Sequence, residues 1–359
     1  MIDRDRPPRL YIPGPVEVEP EILEEMTRPM LGHRAPDFSE LAAVVHADLK
    51  RLLRTEDPVL VSTSSATGVM EGAVRNCVRE RVLCCVNGAF SDRWHKICLA
   101  NGIAAERLEV EWGRAVKPEM VREALEAGGF DAVTLVHNET STGVMSPLEE
   151  IAEAVRGFGD VCLLVDAVSS LAVVPIETGA LGVDVLLAGS HKGLALPPGL
   201  AVFALSGRAL ERAAAREGRG SYFDFVALHD RYRKNQTPNT PAVSLYYALR
   251  KRLAGILADR DGWYAEHRER CELTRRWARE RFALFAEEGY ESVSVTSVRN
   301  TRGISVADLN RHLREHGCMI SNGYGVLKEK TFRIGHMGAN DVGAHRELLA
   351  LIDRFLEGK

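Results

Sequence analysis

One lysine, Lys192, stands just after an apolar run and a turn of small residues, and a Pro-Pro-Gly corner follows it. The segment is VDVLLAGSHKGLALPPGL. The apolar run predicts a buried strand, and the small residues let the chain turn sharply at its end. Burial lowers the pKa of a lysine, and a neutral amine is the form that makes a Schiff base. A strand-end lysine that points to solvent explains the same pattern, so the rest of the chain must decide.

Two further segments could bind a charged ligand. Asp166 follows the apolar run VCLLV, and a buried carboxylate without a cationic partner is costly. Upstream, the strand VLVS leads through the hydroxyl-rich turn TSSATG into a helix. Free N–H groups at a helix N-terminus favour anions such as phosphate, although ordinary helix capping explains this turn equally well. The turn matches neither the P-loop nor the dinucleotide-binding fingerprint.

An aromatic residue and an arginine complete the set. Phe90 follows the strand RVLCCV, where a core aromatic is the alternative interpretation. Arg333 stands in the apolar strand TFRIG, and its planar guanidinium can hold a carboxylate through two parallel hydrogen bonds. Pyridoxal 5′-phosphate needs an amine, an acid facing its ring nitrogen, a phosphate anchor and a stacking surface. Lys192, Asp166, the TSSATG turn and Phe90 could supply all four, and Arg333 is a separate candidate for binding a carboxylate.

The elements that must position these residues alternate between short apolar strands and helices. This order predicts an open, mostly parallel α/β sheet with helices on both faces, whose functional residues gather at the carboxyl ends of the strands. The predicted strand ends hold Ser65, Phe90, Thr140, Asp166 and Lys192. A long irregular span at 220–241 is expected to be functional or an interface. Strands near 293–298, 303–306 and 319–320, with helices between and after them, predict a small α+β domain.

Composition limits the class of protein. The chain has 359 residues, of which 45% are hydrophobic, so it can bury one large core or two. Its net charge of −4 comes without a basic block, so neither nucleic acid nor a membrane is expected as a partner. The seven cysteines favour a reducing compartment over disulfides, and none has zinc spacing, so no metal is expected. Without a signal sequence or a membrane-spanning stretch, a cytoplasmic protein is the expectation.

Taken together, the motifs resemble the class V, fold-type I aminotransferases, in the alanine-glyoxylate and serine-pyruvate branch. The likeness covers essentially the whole chain. The segments that carry it are YIPGP, STSSATGVMEGAV, VNGAF, HNETSTGVMSPL, LLVDAVSSL, GSHKGLALPPGL, TPNTPAVSLYYAL and TFRIGHMG. The resemblance implies a large domain at 18–250, with a mostly parallel seven-stranded sheet between helices. It also implies a smaller α+β domain formed by 251–359 and an N-terminal strap, 1–17.

The resemblance implies a role for each matching residue. Lys192 would be the Schiff-base lysine and proton shuttle, Asp166 would pair with the pyridine nitrogen, and Arg333 would hold the substrate α-carboxylate. The other implied cofactor contacts are Ser65, Ala66 and Thr67 at the phosphate, Phe90 and Val168 on the two ring faces, Thr140 beside the ring hydroxyl, and His191. Gly14 and Thr140 would also touch substrate. Thr237 and Thr240 would reach the phosphate of a second subunit, which implies a homodimer with shared sites.

Three positions depart from the pattern of this branch. Ala66 and Thr67 replace a Gly-His pair, Phe90 stands where many members have tryptophan, and His191 stands where glutamine is frequent. None of these changes removes an essential chemical group. Cys318, which could suggest a persulfide-forming enzyme, lacks a mobile Gly-Ser-rich loop beside it and is expected to pack in the core.

The expected function is transfer of an amino group from a small L-amino acid, such as alanine or serine, to glyoxylate or pyruvate by a ping-pong mechanism. One alternative is a lyase with the same cofactor, such as a cysteine desulfurase. Others are an aspartate- or ureidoglycine-using aminotransferase, and a non-catalytic nucleotide-binding protein. No second cation can be assigned to a substrate side-chain carboxylate, so a dicarboxylic substrate is not favoured, although Arg34 and Arg233 have no assigned role.

Overall fold

A computed structural model describes residues 7–358. The strands are β1 (Arg9–Tyr11), β2 (Val59–Ser62), β3 (Arg81–Val86), β4 (Ala104–Glu109), β5 (Ala132–Val136), β6 (Asn138–Glu139), β7 (Val144–Met145), β8 (Cys162–Asp166), β9 (Val185–Gly189), β10 (Ala201–Leu205), β11 (Ala283–Leu284), β12 (Val295–Arg299), β13 (Cys318–Asn322) and β14 (Thr331–Gly335). The helices are α1 (Pro20–Glu25), α2 (Pro36–Leu53), α3 (Ala66–Cys77), α4 (Ala89–Ala100), α5 (Pro118–Glu126), α6 (Leu148–Arg156), α7 (Thr178–Leu181), α8 (Gly207–Ala215), α9 (Phe225–Tyr232), α10 (Val243–Ala258), α11 (Arg260–Arg281), α12 (Val306–Glu315) and α13 (Val342–Glu357).

The larger sheet has seven strands in the order β2-β10-β9-β8-β5-β3-β4. Every pair is parallel except those that β10 makes with β2 and β9. Each residue of β5, β8 and β9 is buried, as expected for strands covered by helices on both faces. Successive residues such as Leu163 and Leu164 enter opposite cores, one on each side of the sheet. The predicted fold class is confirmed.

The smaller sheet has five strands in the order β1-β13-β14-β12-β11. The N-terminal strand β1 pairs in parallel with β13, and β14 lies antiparallel to both β13 and β12. Side chains from α11, α12 and α13 pack on this sheet in a core of their own. Residues 1–6 of the expected strap lie outside the described residues, and the division into domains at 17 and 250 stays a prediction.

Some expected elements differ from those observed. No strand forms at 303–306, because Ser305 accepts a hydrogen bond from the Asp308 N–H and caps α12, which begins at the next residue. The span 220–241 is not wholly irregular, because Asp224 caps α9 in the same way. The sequence patterns also did not reveal β4, α5 and β10, all of which lie in or against the large sheet.

The cysteines bear on the compartment expected for the chain. All seven cysteines are buried with free thiols. Cys318 is the first residue of β13 and packs in the core of the smaller sheet. Across residues 7–358, no helix combines the length and the apolar character that crossing a membrane requires.

Candidate active site

A cavity of about 160 Å³ opens at the carboxyl ends of β5, β8 and β9. In open α/β sheets this edge is where ligands bind. Nine of the residues assigned to the cofactor line it: Ser65, Ala66, Thr67, Phe90, Thr140, Asp166, Val168, His191 and Lys192. One expectation about them is wrong, since Phe90 is not at a strand end: β3 ends at Val86, and Phe90 is the second residue of α4.

Lys192 lies three residues beyond the end of β9, with 9% of its surface exposed. Its ammonium group donates a hydrogen bond to the Pro13 carbonyl. The next residue, Gly14, has φ of +131°, and a Cβ there would lie 2.7 Å from the lysine Nζ, so the strap needs glycine at this point. Burial, followed by the positive charge of Arg333, lowers the pKa of Lys192 to about 8. A substantial fraction of the amine is therefore neutral at mildly alkaline pH.

Asp166 is the last residue of β8, and only 5% of its surface is exposed. Its Oδ1 atom accepts a hydrogen bond of 2.7 Å from the Val168 N–H. No ion pair found within the described part of the chain includes this carboxylate. Burial, with a smaller contribution from the charge of Glu139, raises the pKa of Asp166 to about 7. The site thus holds a buried acid that forms no direct ion pair with the cations described around it.

The hydroxyl-rich turn begins α3. Ser65 is the N-cap residue, its side chain makes no capping bond, and the first turn carries no acidic residue. The N–H groups of this turn and the positive end of the helix dipole are therefore available to an anion. His191 lies beside the turn: a Cβ on Gly189 would be 3.0 Å from its ring and 3.9 Å from the Ala66 Cβ. Burial lowers the pKa of His191 to about 4, so its ring is neutral.

Arg333 projects from β14 with 8% of its surface exposed. It donates to the Thr140 carbonyl at 3.1 Å and to the Asn322 carbonyl at 3.2 Å. No carboxylate within ion-pair distance was found for it among residues 7–358. Burial lowers the pKa of Arg333 to about 10, so the guanidinium remains charged at neutral pH. A buried cation that has only carbonyl partners is suited to receive a carboxylate.

The structure separates Thr237 and Thr240 from the lysine cavity. They line a second, smaller cavity together with Thr63 and Tyr222. Arg34 donates hydrogen bonds to the carbonyls of Thr237 and Pro238, so it holds this loop and does not enter the lysine cavity. A role for the two threonines at the phosphate of a second subunit stays a prediction.

Sequence reasoning missed Glu139, which is fully buried. Its Oε2 atom accepts hydrogen bonds from the N–H groups of Phe90 and Ser91, at 3.0 and 2.9 Å. Its Oε1 atom accepts from the N–H and hydroxyl of Ser141, at 3.1 and 2.6 Å. Glu139 therefore links the start of α4 to β6. The next residue, Thr140, accepts a hydrogen bond from Arg333 through its carbonyl. It belongs to the HNETSTG motif, and a carboxylate between polar residues at a strand end was the available signal.

Arg93 was also missed. It lines the lysine cavity one helical turn after Phe90, and its guanidinium lies 5.0 Å from the centre of the Phe90 ring. The spacing of three residues on one helix could have identified it, since such residues share a face.

Comparisons with known proteins agree with this geometry. The family Aminotransferase class-V matches residues 23–339. The chain belongs to the class V aminotransferases. It is therefore an enzyme that uses pyridoxal 5′-phosphate.

Relatives of this aminotransferase carry related names. It is 33% identical to the serine–glyoxylate aminotransferase of Methylorubrum extorquens, over 92% of this chain and 86% of that protein. The alanine–glyoxylate aminotransferase of Nostoc sp. has a similar structure, with TM-score 0.93 and 31% identity over 98% of this chain and 95% of that one. A subgroup IV aspartate aminotransferase from Thermus thermophilus gives TM-score 0.90 and 33% identity, over 97% and 99% of the two chains.

The residues present fit the cofactor. Asp166 is a buried carboxylate that needs a positively charged partner, as a protonated pyridine nitrogen would be. The start of α3 is a cradle for phosphate that lacks its own acidic residue. Lys192 is a buried amine of lowered pKa beside both. Each group that the cofactor requires therefore has a matching chemical partner on the wall of one cavity.

We predict that Glu139→Gln weakens cofactor binding by about tenfold and lowers the free energy of unfolding by about 1–3 kcal/mol. An amide retains one acceptor oxygen, so its NH₂ group would face N–H donors of Ser141 or of α4. The start of α4 and Phe90 would then shift. Equilibrium dialysis and urea unfolding of the cofactor-free protein measure the two effects. Glu150→Gln, an exposed residue in the first turn of α6, is the control, and equal behaviour of the two variants would refute the positioning role.

Proposed function

We propose that this aminotransferase moves the amino group of a small L-amino acid, such as alanine or serine, to glyoxylate or pyruvate. The observation that carries the proposal is Arg333, a buried guanidinium that donates a hydrogen bond to the carbonyl of Thr140, a residue that lines the lysine cavity. It gives the α-carboxylate of an amino acid or 2-oxo acid a fixed partner. The relatives named for serine and alanine as donors and glyoxylate as acceptor support this substrate class.

The residues of the site divide the chemistry. When bound, pyridoxal 5′-phosphate supplies a ring that withdraws electrons from the substrate α-carbon. Asp166 would hold a proton on the ring nitrogen, because its buried carboxylate would be stabilised by a positive charge there. Lys192 would remove the proton from the α-carbon of the amino donor in the first half-reaction and deliver a proton to the α-carbon of the product amino acid in the second, and its lowered pKa keeps part of the amine ready as a base.

The remaining residues would orient the cofactor and enclose the reacting atoms. Ser65, Ala66 and Thr67 would bind the phosphate through the start of α3, and His191 would add a neutral ring donor beside them. Phe90 and Val168, which line the cavity, would cover the two faces of the cofactor ring. Gly14 brings the strap against Lys192 and helps to exclude water from the reacting carbon.

We also propose that the enzyme is a homodimer in the cytoplasm. Thr237 and Thr240 lie outside the lysine cavity of their own chain, beside the exposed aromatic Tyr222. Placement of these threonines at the phosphate of a second subunit would give them the role that their motif implies. The seven buried free thiols fit a reducing compartment.

The test is a donor screen under single-turnover conditions. Cofactor-loaded protein is mixed with one amino acid at a time, without an oxo acid, and the visible absorbance of the lysine-bound cofactor is followed. We expect alanine and serine to remove this band in proportion to the 2-oxo acid formed, and glyoxylate to restore it. Failure of every small amino acid to change the band would reject the proposal. Release of alanine and persulfide from cysteine, with the band unchanged, would show a lyase instead.

A further inference from the structure

Two buried alanines near the lysine cavity have a backbone conformation that residues with a Cβ rarely adopt. Ala172 has φ of +60° and Ala195 has φ of +47°, and neither side chain is exposed. This left-handed region is unfavourable for alanine, so contacts from elsewhere must hold it. Ala172 comes six residues after Asp166, and Ala195 comes three residues after Lys192. The strained positions therefore belong to the two loops that carry the acid and the amine.

These two loops touch at Gly193. A Cβ on Gly193 would lie 2.2 Å from the carbonyl oxygen of Leu171, so only glycine lets the two backbones approach this closely. Within the second loop, the Ala195 N–H donates a hydrogen bond of 2.8 Å to the Lys192 carbonyl. A shift of either loop would therefore move the backbone of Lys192 relative to Asp166.

Two side chains from outside the cavity hold the carbonyls of the strained alanines. Trp263, on α11, donates from Nε1 to the Ala172 carbonyl at 2.7 Å. Arg252, on α10, donates from Nη2 to the Ala195 carbonyl at 3.3 Å. The Arg252 guanidinium also lies 5.2 Å from the centre of the Trp263 ring, which is a cation–π distance, so the two donors support each other. Neither residue is among those that line the lysine cavity.

Arg252 is connected to the N-terminal strap as well. The strap provides the Pro13 carbonyl that accepts the hydrogen bond from Lys192. Two positions after the strap, Glu19 is the N-cap residue of α1 and forms an ion pair with Arg252. Between these points, Val16 joins the strap to both loops in a small apolar core with Val173, Ala195 and Met337. One arginine is thus bonded both to the chain beside the strap and to the lysine loop.

We propose that Arg252 and Trp263 are positioning residues that hold Lys192 in place from outside the cavity. They fix the two strained carbonyls, and through them the loops of Asp166 and Lys192 keep one relative placement. The pair also sets how closely the strap covers the amine and how much water reaches it. Displacement of a reacting group by about 1 Å can cost on the order of 10²-fold in rate, so residues that touch no reacting atom can still control the reaction.

The Lys192 amine reports this placement in the cofactor-free protein. Burial lowers its pKa to about 8, and the charges that act on it are those of Arg333, Asp166 and Arg93. The ring of the adjacent His191 is neutral. Loosening of the loops admits water and leaves these charges in the protein, so the pKa of Lys192 should rise towards its ordinary value.

The experiment labels the cofactor-free protein with acetic anhydride over a range of pH, and peptide mass analysis gives the midpoint for Lys192. Trp263→Phe keeps an aromatic ring beside Arg252 and loses only the indole donor, so we expect the midpoint to rise by roughly one pH unit. Arg252→Lys keeps the charge but lacks the planar fork that bonds two partners, and it should raise the midpoint too.

Trp277→Phe is the matched control. It removes an indole hydrogen bond of 2.9 Å to Asp353, in the core of the smaller sheet. This variant should lower the unfolding temperature without moving the midpoint of Lys192. If Arg252→Lys does not fold, Trp263→Phe still decides the outcome, because it is the milder change. An unchanged or lowered midpoint in Trp263→Phe would mean that the pair only stabilises the fold, and the proposal would fail.

A kinetic measurement on the cofactor-loaded enzyme completes the test. Trp263→Phe should lower kcat by about tenfold, because the amine is misplaced. The KM for the amino donor should change by less than about threefold, because Arg333 is untouched. An equal loss of kcat in Trp277→Phe would contradict a specific role for the pair. The labelling uses no substrate, so its outcome does not depend on the donors proposed above.

Discussion

Lys192→Ala is expected to lower transamination by at least about 10⁴-fold and to abolish covalent attachment of the cofactor. The variant lacks the amine that attaches the cofactor and the base that moves the α-proton, and no neighbouring residue can replace both. Borohydride reduction followed by peptide mass analysis measures attachment, because it fixes the cofactor on the peptide that contains Lys192. A covalent adduct elsewhere, or substantial activity in this variant, would contradict the assignment.

The stability of Lys192→Ala shows whether the loss is chemical. In the folded protein the pKa of Lys192 is about 8, below its ordinary value of 10.5, so burial of its charge costs free energy at pH 7. This cost falls as the pH rises above 8, and it vanishes above the pKa that Lys192 has in the unfolded chain. The cofactor-free variant should therefore unfold at the same or a higher temperature than wild type at pH 7. Lys251→Ala, at an exposed position of α10, should retain activity and attachment.

The fold could be predicted from the sequence because its strongest signals are local. Apolar runs such as VTLV and CLLVD, separated by helices, specify a parallel sheet, and the chain order then brings their carboxyl ends to one edge. The positions of Asp166 and Lys192 at this edge could be predicted because each comes after such a run, whereas their roles came from the combination of motifs and the family resemblance. The error at 303–306 has a local cause too. An N-cap serine followed by valine resembles the end of a strand until the hydrogen bond to Asp308 is seen.

The rest of the site depends on contacts between distant parts of the chain. The Pro13 carbonyl meets Lys192 across 179 positions, and Arg333 meets Thr140 across 193. No periodicity in the sequence encodes such pairs. Arg93 and Glu139 are similar cases, because a charged residue on a helix or strand end is ordinarily solvated. Only the packing of α4 on the segment after β5 shows that Arg93 lines the lysine cavity and that Glu139 is fully buried.

Asp166→Asn is expected to lower transamination by about 10²- to 10⁴-fold while making the cofactor-free protein more stable at neutral pH and above. An amide is neutral, so it cannot stabilise a proton on the ring nitrogen, and the ring then withdraws electrons less effectively. The substitution preserves shape, and its side-chain oxygen can still accept the Val168 N–H. Single-turnover rates with alanine measure the first effect, and urea unfolding without cofactor measures the second.

The pH dependence of this stability follows from the raised pKa of Asp166, about 7 in the folded protein against an ordinary value of 3.8. Below pH 3.8 the carboxyl is protonated in both states, so it costs nothing. Between pH 3.8 and 7 the unfolded chain ionises first, and the cost of burying the charge grows until it reaches at most about 4 kcal/mol above pH 7. The advantage of Asp166→Asn should therefore be largest at pH 8 and should shrink towards pH 4.

A second buried aspartate, Asp184, provides a control, because its substitution by asparagine should change stability in the opposite direction. Asp184 is 1% exposed, but it forms an ion pair with Arg208 and accepts hydrogen bonds from the Ser206 hydroxyl and the Leu163 N–H. Asp184→Asn leaves Arg208 without its anion, so it should destabilise the protein at pH 8, where Asp166→Asn stabilises it.

Saturating cofactor should raise the stability of the wild type more than that of Asp166→Asn, because only the carboxylate gains a charged partner. Equal stabilisation of the two by cofactor would mean that Asp166 does not face the ring nitrogen.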